Sequence, residues 1–178
     1  MQERIDIINI RGEKTGESAT YDEVHKRGLM HRTVHIWLIN DKEQLLLQKR
    51  VQNKRAYPLH WDISAAGHIS AGESSLEAAQ KEVREEIGLD IPSDQFRFLF
   101  TIKQERLIHG DDFIDDEIND IYLVKYNGHT SDFKLGSDEV ESVKWIDIPQ
   151  FKAWIKGTGE KIVPHEEEYR HLLKEIAS

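Results

Sequence analysis

The 178-residue sequence contains no cysteine. Disulfide bonds, thiolate zinc sites and cysteine nucleophiles are therefore excluded. The sequence also lacks an apolar run of the roughly 18 residues that a membrane-spanning helix needs. Its first residues lack the basic segment and apolar core of a secretory signal. We therefore expect a cytoplasmic protein that does not bind membranes.

Positive charge is scarce relative to negative charge. The chain has 24 Lys and Arg against 33 Asp and Glu, a net charge of −9. This balance disfavours binding to nucleic acid polymers or anionic lipid surfaces, because both are polyanions. An anionic small molecule would need a metal ion or a local basic cluster. The length predicts one domain, covering residues 1–178, with one full core.

Hydrophobic periodicity predicts a sheet-rich domain with flanking helices. Period-two patterns predict strands at Ile5–Ile10, Thr33–Asn40, Leu45–Arg50, Phe96–Lys103, Asp120–Tyr126 and Val140–Ile146. Helical patterns cover Ser74–Ile87, Pro149–Lys156 and Glu166–Ile176. A short helix is expected after Thr20, which has capping-box spacing to Glu23. The stretches 12–16 and 157–159 are expected to be loops, because each contains two glycines.

The helix predicted after Ser74 carries an acidic face. Glu82, Glu85 and Glu86 are neighbours on that helix, and like charges so placed cost roughly 0.2 to 0.5 kcal/mol per pair. A divalent cation would compensate this repulsion. Carboxylate oxygens suit Mg²⁺ or Mn²⁺.

The acidic helix belongs to a longer motif, residues 67–89, which reads GHISAGESSLEAAQKEVREEIGL. This motif resembles the Nudix box, the signature of hydrolases of nucleoside and related diphosphates. The matching positions are Gly67, Glu73, Glu82, Val83, Glu85, Glu86, Gly88 and Leu89. The resemblance implies an α+β Nudix fold, an α/β/α sandwich in which a mixed β-sheet lies between helices and the box forms a loop-helix-loop unit.

The resemblance also implies catalytic roles for the box. The implied ligands of Mg²⁺ or Mn²⁺ are the carboxylates of Glu82, Glu85 and Glu86 and the backbone carbonyl of Gly67. Glu73 would brace the loop. Lys81 stands where the family usually has arginine, and lysine supplies the charge that holds Glu73 but not a bidentate fork. The base that activates water stays open between Glu85, Glu86 and the more distant Glu139.

Upstream segments narrow the resemblance to one branch. The segments HRTVHIWLIN, LLLQKR and AAGH resemble isopentenyl-diphosphate isomerase and its hydrolase relatives. The isomerases have a catalytic cysteine directly before the Gly-His pair, where this chain has Ala66. Alanine cannot transfer a proton, so we reject isomerase activity as the main interpretation.

The isomerase branch also implies a second ligand set. This set, for a metal or the substrate, would be His25, His31, His68, Asp115 and Glu117. Its spacing departs from the isomerase pattern, and scattered polar residues more often form an ordinary polar cluster. Arg50 and Lys54 lie in a basic patch before the box. They would either bind the terminal phosphates or form a solvated strand end.

The sequence therefore predicts a Nudix-type pyrophosphohydrolase. It would cleave the diphosphate linkage of a small molecule, such as a nucleoside di- or triphosphate, by metal-assisted attack of water. The alternatives are an isomerase-like enzyme with a replacement acid and a non-hydrolytic nucleotide-binding regulatory module. Substrate identity is not encoded in the box. A symmetric homodimer is the common assembly of small enzymes of this kind.

Overall fold

A computed structural model of the protein describes residues 2–177. The strands in that range are β1 (Arg4–Ile8), β2 (Lys14–Thr20), β3 (His31–Ile39), β4 (Gln44–Arg50), β5 (Trp61–Asp62), β6 (Ala65–His68), β7 (Arg97–Lys103), β8 (Leu107–His109), β9 (Phe113–Asp115), β10 (Glu117–Lys125) and β11 (Val140–Asp147). The helices are α1 (Tyr21–Arg27), α2 (Ser75–Ile87), α3 (Ile148–Ile155) and α4 (Glu166–Ala177).

The sheet that organises the fold is mixed, as predicted. Its strands lie in the order β11-β4-β3-β10-β7, with β5 paired to β4 and β6 paired to β3. Strands β3 and β10 run parallel, and their register places Glu117 beside His31. The other pairings in this sheet are antiparallel. Almost every residue of β3 and β10 is buried, as expected for central strands covered on both faces.

Two hydrophobic cores lie on opposite faces of the sheet. Successive side chains of a strand point to opposite faces, so β3 contributes to both cores. Val34, Ile36 and Leu38 pack in the core that contains α2. Trp37 packs in the core that contains α3 and α4. The helices therefore flank the sheet, and between residues 2 and 177 none is long and apolar enough to cross a membrane.

Helix α2 begins and ends where its sequence signals predicted. The Ser74 hydroxyl accepts the Glu77 N–H, and the Glu77 carboxylate accepts the Ser74 N–H at 2.9 Å. A cap of this kind contributes about 1 kcal/mol. Gly88 ends the helix with φ of +72°, a conformation that favours glycine. The buried stripe of Ala79, Val83 and Ile87 fixes the helix against the sheet, so its acidic shoulder lies at the sheet edge.

The first predicted strand is two residues too long. Strand β1 ends at Ile8 because the next side chain, Asn9, accepts hydrogen bonds from the backbone N–H groups of Arg11 and Glu13, at 2.9 and 3.1 Å. These bonds start a turn. Side-chain bonds of this type compete with the strand ladder.

The predicted loop over residues 12–16 is wrong in its second half. Strand β2 begins at Lys14 and pairs antiparallel with β1. Most of its side chains are exposed, so it has no hydrophobic alternation to detect. The hairpin of β8 and β9 was also missed, because two three-residue strands are too short to show a period. The predicted loop at 157–159 is confirmed.

Candidate active site

The loop between β6 and α2 is braced by Glu73. One carboxylate oxygen of Glu73 accepts the Ser70 N–H at 2.9 Å and the Lys81 ammonium at 3.0 Å. Burial lowers the pKa of Lys81, but its hydrogen bond to Glu73 and the charges of the nearby glutamates together outweigh this effect, and the net pKa is raised. Lys81 is therefore charged and holds the loop, as the sequence suggested for this departure from the usual arginine.

Gly67 allows a carboxylate to approach the backbone. A Cβ atom at position 67 would overlap the Glu82 carboxylate. The Glu82 side chain is 13% exposed, and its Oε1 lies 3.6 Å from the Lys81 ammonium. Burial and the neighbouring charge of Glu86 raise the pKa of Glu82 to about 8.

Glu86 is the buried member of the acidic set. Its Oε2 accepts the Ala66 N–H at 3.0 Å and the Gln48 amide at 2.7 Å. Burial raises the pKa of Glu86 to about 7, although these hydrogen bonds oppose the shift. Glu85, one turn from Glu82, is exposed. The three carboxylates and Gly67 all line one cavity of about 870 Å³.

This donor set fits a divalent cation. Two carboxyl groups with pKa values near or above neutrality ionise together only when a positive charge stabilises them. The carboxylate oxygens and the Gly67 carbonyl oxygen are hard ligands of the kind that Mg²⁺ and Mn²⁺ prefer. Glu82, Glu85, Glu86 and Gly67 thus line the same cavity, and their role as ligands stays a prediction.

Both predicted phosphate-binding residues line the same cavity. The Arg50 guanidinium lies 2.9 Å from an oxygen of the buried Asp62. The Lys54 ammonium contacts the carboxylate of Glu139. Burial and the charge of Arg50 lower the pKa of Lys54. Arg50 and Lys54 therefore both line the cavity, and a neighbouring carboxylate orients each of them.

Four residues of the second predicted set also meet. The ligand atoms of His25, His31, His68 and Glu117 all lie within 4.8 Å of one another. His25 and His31 use Nδ1 to contact the backbone carbonyls of Tyr21 and Leu29, at 2.8 and 2.9 Å. These contacts direct Nε2 of both rings into the cluster. His31 Nε2 is buried and lies 3.4 Å from Glu117 Oε1, but within residues 2–177 it makes no well-formed hydrogen bond.

The fifth residue of that set, Asp115, lies at the edge of the cluster. Its Oδ1 is 3.4 Å from His25 Nε2, and its Oδ2 is 3.4 Å from His109 Nε2. Burial and the charge of Glu117 raise the pKa of Asp115. Burial and the charge of His31 lower the pKa of His68 to about 3, so His68 is neutral. A neutral imidazole is the form that binds a metal.

Comparison with known proteins decides the family. A model of the NUDIX domain matches residues 29–166. The chain belongs to the Nudix family. It is 39% identical over 168 residues to Nudix hydrolase 3 of Arabidopsis thaliana. The matched region is 93% of this chain but only 22% of that longer protein. An uncharacterized Nudix hydrolase of Listeria monocytogenes is 31% identical over 90% of this chain and 88% of its own length.

Further relatives agree with the branch and the fold. Isopentenyl-diphosphate Delta-isomerase of Escherichia coli is 28% identical over 88% of this chain and 83% of its own length. A crystal structure from Deinococcus radiodurans superimposes with a TM-score of 0.70 at 22% identity, covering 90% of this chain and 92% of that chain. The Nudix domain of Shewanella oneidensis NrtR, complexed with ADP ribose, gives 0.61 at 15% identity over 83% of this chain and 88% of that one. The predicted Nudix fold is confirmed.

Some residues that line the Nudix cavity were missed from the sequence. His35, Asp62 and His165 line it together with the box, although no spacing connects them. His35 had one detectable signal, since residues two apart on a strand share a face. His31, Thr33 and His35 therefore lie on one face of β3. Asp62 and His165 are 103 residues apart and carried no comparable signal.

Proposed function

We propose that this Nudix hydrolase cleaves the diphosphate linkage of a small molecule with Mg²⁺ or Mn²⁺. The observation that carries the proposal is the meeting of Glu82, Glu86 and the Gly67 backbone in one cavity. Nudix hydrolases generally use divalent metal ions, and the donor set fits one. When bound, such an ion neutralises phosphate oxygens and activates water.

The residues of the chain then have separate tasks. Glu82, Glu85, Glu86 and the Gly67 carbonyl would hold the ion. Glu73 and Lys81 would hold the loop that follows Gly67 through their 3.0 Å hydrogen bond. Glu85, Glu86 and Glu139 all line the cavity and stay open as the base that accepts a proton from water.

Arg50 and Lys54 would bind the anionic oxygens of the substrate. Arginine forms charge-assisted hydrogen bonds to phosphate, and Asp62 holds the guanidinium at the cavity wall. Lys54 is 26% exposed at its side chain, so its ammonium is within reach of a ligand. These contacts grip phosphate groups and leave the rest of the substrate to the loops.

We also propose that the cluster of His25, His31, His68 and Glu117 is a second metal site, with Asp115 at its edge. In an ordinary polar cluster, buried nitrogens are satisfied by hydrogen bonds. His31 Nε2 departs from that rule within the described residues. Carbonyl contacts behind metal-binding histidines are typical, because they fix the ring orientation.

The substrate is best sought among nucleotides and related diphosphates. The cavity of about 870 Å³ lies within the range of small-molecule sites, and its polar walls suit a phosphorylated ligand. The ADP ribose bound to the NrtR Nudix domain adds that compound to the panel. A small-molecule partner, a cytoplasmic location and a symmetric homodimer remain predictions.

The deciding experiment is a hydrolysis screen with Mg²⁺ and with Mn²⁺. The panel contains nucleoside di- and triphosphates, sugar nucleotides, dinucleotides, ADP ribose and prenyl diphosphates. We expect metal-dependent cleavage of at least one class, and Glu86→Gln and Glu85→Gln should each lower turnover by orders of magnitude while the fold is kept. Unchanged turnover in both variants would contradict the proposed site.

The two rivals have their own outcomes in that screen. Recovery of a tightly bound ligand uncut after long incubation would favour the regulatory module. Formation of dimethylallyl diphosphate from isopentenyl diphosphate would favour an isomerase. We expect no such product, because Ala66 stands where the isomerase cysteine would be.

A further inference from the structure

Two histidines outside both candidate metal sites are each backed by a buried carboxylate. His35 Nδ1 lies 2.7 Å from Glu168 Oε2. His165 Nε2 lies 3.2 Å from Asp62 Oδ1. The two ring centroids are 5.3 Å apart, and both residues line the cavity that contains the box. We call them the histidine pair.

The carboxylates use opposite nitrogens of the two rings. Glu168 engages Nδ1 of His35, which leaves Nε2 available to the cavity. Asp62 engages Nε2 of His165, which leaves Nδ1 available. The pair therefore presents one ring nitrogen from each residue to a common space.

The pair lies close to the box. His35 is the direct strand partner of Ala66 in the β3–β6 register, and directly opposed residues of antiparallel strands point to the same face. The Ala66 N–H is bound by Glu86. The histidine pair and the box carboxylates line the same cavity, so a substrate that fills the cavity can contact both.

Three of the other cations that line the cavity are engaged by acids, and a fourth, Arg55, stacks on the Phe113 ring. Arg50 contacts Asp62, Lys54 contacts Glu139, and Lys81 contacts Glu73. An acidic cavity that binds a polyanion needs additional donors. An imidazole held by a carboxylate on one nitrogen is pre-oriented and can donate from the other.

We propose that His35 and His165 bind a phosphate group of the substrate, each donating from the nitrogen that its carboxylate leaves uncovered. This inference rests on the proposed function, because it concerns the same cavity. Glu168 and Asp62 are positioning residues that do not touch the substrate. Trp37 assists by donating its indole N–H to the other oxygen of Glu168 at 2.8 Å.

The charge state of His35 agrees with this role. Burial lowers its pKa, but the charge and hydrogen bond of Glu168 together with the charges of Glu117 and Asp62 outweigh burial, and the net pKa is raised. The charged or titratable groups that face His35 are Glu168 from α4, His165 from the segment before α4, Asp62 from β5 and Glu117 from β10. Three of these four are carboxylates, so they favour the imidazolium that donates to a phosphate.

The test uses the opposite geometry of the two rings. The amide nitrogen of asparagine mimics Nδ1 of histidine, and that of glutamine mimics Nε2. His35→Asn and His165→Gln therefore keep the contact with the carboxylate and lose the cavity donor. His35→Gln and His165→Asn keep the cavity donor and lose the contact with the carboxylate.

The probe is methylenediphosphonate, a diphosphate analogue with a carbon bridge that resists hydrolysis, measured by calorimetry with Mg²⁺ present. We expect His35→Asn and His165→Gln to weaken its binding by about tenfold or more, the value of a lost charge-assisted hydrogen bond. We expect His35→Gln and His165→Asn to bind more tightly than the other variant at the same position, because a neutral amide donor retains part of the lost bond. His171→Asn is the background control, because His171 is a half-buried histidine on α4 that does not line the cavity.

A second readout separates binding from packing. In Glu168→Gln, the charge behind His35 is removed and its pKa falls. A protonated His35 binds phosphate below its pKa, so the loss of diphosphonate affinity with rising pH should begin at lower pH in this variant. Nitrogen chemical shifts of the His35 ring should also change when the diphosphonate is added.

The outcomes distinguish this inference from the proposed function. If no panel compound is cleaved but the diphosphonate binds with the expected pattern, the hydrolase proposal fails and the pair stands. If cleavage occurs and all four variants bind like the parent, the pair is overturned. The reverse pattern, with weakened binding only when the carboxylate contacts are lost, would show that the pair merely fastens α4 to the sheet and would also overturn it. Absence of diphosphonate binding by the parent protein would also overturn the proposed role of the histidine pair.

Discussion

The Glu82 carboxylate occupies the space in which any side chain at position 67 would stand. Residue 67 lies on β6 and Glu82 lies in the second turn of α2, so the contact joins the two halves of the Nudix box. It brings the backbone of Gly67 and a carboxylate together in the cavity.

Gly67→Ala should therefore disable the box. The added Cβ displaces the Glu82 carboxylate, so we expect a loss of divalent-metal affinity of about tenfold or more and a matching loss of turnover. Calorimetric titration with Mn²⁺ measures the first effect. Gly72→Ala is the control in the same loop, because its Cβ would meet open space although φ is +81°. It should cost about 1 kcal/mol of stability and leave metal affinity unchanged. Equal metal affinity in the parent and Gly67→Ala would show that the close approach of Glu82 to Gly67 is not needed for metal binding.

The buried acids should make the metal-free protein less stable as pH rises. In the folded chain the pKa of Glu86 is about 7 and that of Glu82 about 8, whereas an unfolded glutamate titrates at about 4.3. The folded state thus holds more protons between these values, and the free energy of unfolding falls across that window. Comparing Glu86→Gln with the parent isolates one of the two groups. The variant should gain stability relative to the parent between about pH 5 and pH 8, on the order of 1–3 kcal/mol, by chemical denaturation in a chelator. Parallel pH curves would contradict the raised pKa.

Lys81 should be replaceable by arginine but not by alanine. Lys81→Ala removes the cation that holds Glu73 at 3.0 Å, so we expect kcat/KM to fall by about tenfold because the loop between β6 and α2 is no longer held. Lys81→Arg should retain or raise kcat/KM, since a guanidinium can bind Glu73 with two donors. Arg84→Ala is a matched control on the same helix, because Arg84 pairs with Asp90 at the surface. Its loss should cost less than about 1 kcal/mol. Similar kinetics for Lys81→Ala and Arg84→Ala would count against the bracing role.

The box could be read from the sequence because its signals are local. Ser74 and Glu77 cap α2, the apolar stripe orients it, and the glutamates then follow from helical spacing. The contact of Lys81 with Glu73 spans eight residues, and its charge pairing could be anticipated. Strand β2 could not be found in the same way, since its exposed polar residues are held by pairing with β1 rather than by burial.

The histidine pair shows where local signals end. His35 and Glu168 are 133 residues apart in the sequence, and the packing of α4 against the sheet brings them together. The position of α4 depends on the packing of Tyr169 and Leu172 in the core that contains α3 and α4, and no short motif encodes that packing. Parallel pairing of β3 with β10 likewise places Glu117 beside His31. Sequence spacing alone did not show that these two residues meet, so a metal site and an ordinary polar cluster both stayed open.

The cluster of His25, His31, His68 and Glu117 should bind its own metal ion. We expect the parent to hold one more Mn²⁺ or Zn²⁺ per chain than His31→Gln, measured by elemental analysis after equilibrium dialysis, because imidazole nitrogens suit such metals. Glu86→Gln should keep this ion, since its defect lies at the box. At about a hundred times the dissociation constant, the ion should stabilise the parent by about 2.7 kcal/mol, and His31→Gln should lose that gain.

His60→Gln controls for the loss of a histidine as such, because His60 is only half-buried and contacts the Pro58 carbonyl. It should match the parent in metal content. Identical stoichiometry and identical metal-induced stabilisation in the parent and His31→Gln would show that the cluster holds no ion. The buried His31 Nε2 would then be a group whose desolvation, about 1–3 kcal/mol, is offset by the charge of Glu117 at 3.4 Å. In that case His31→Leu should be neutral or stabilising, whereas loss of a bound ion would make it destabilising in the presence of metal.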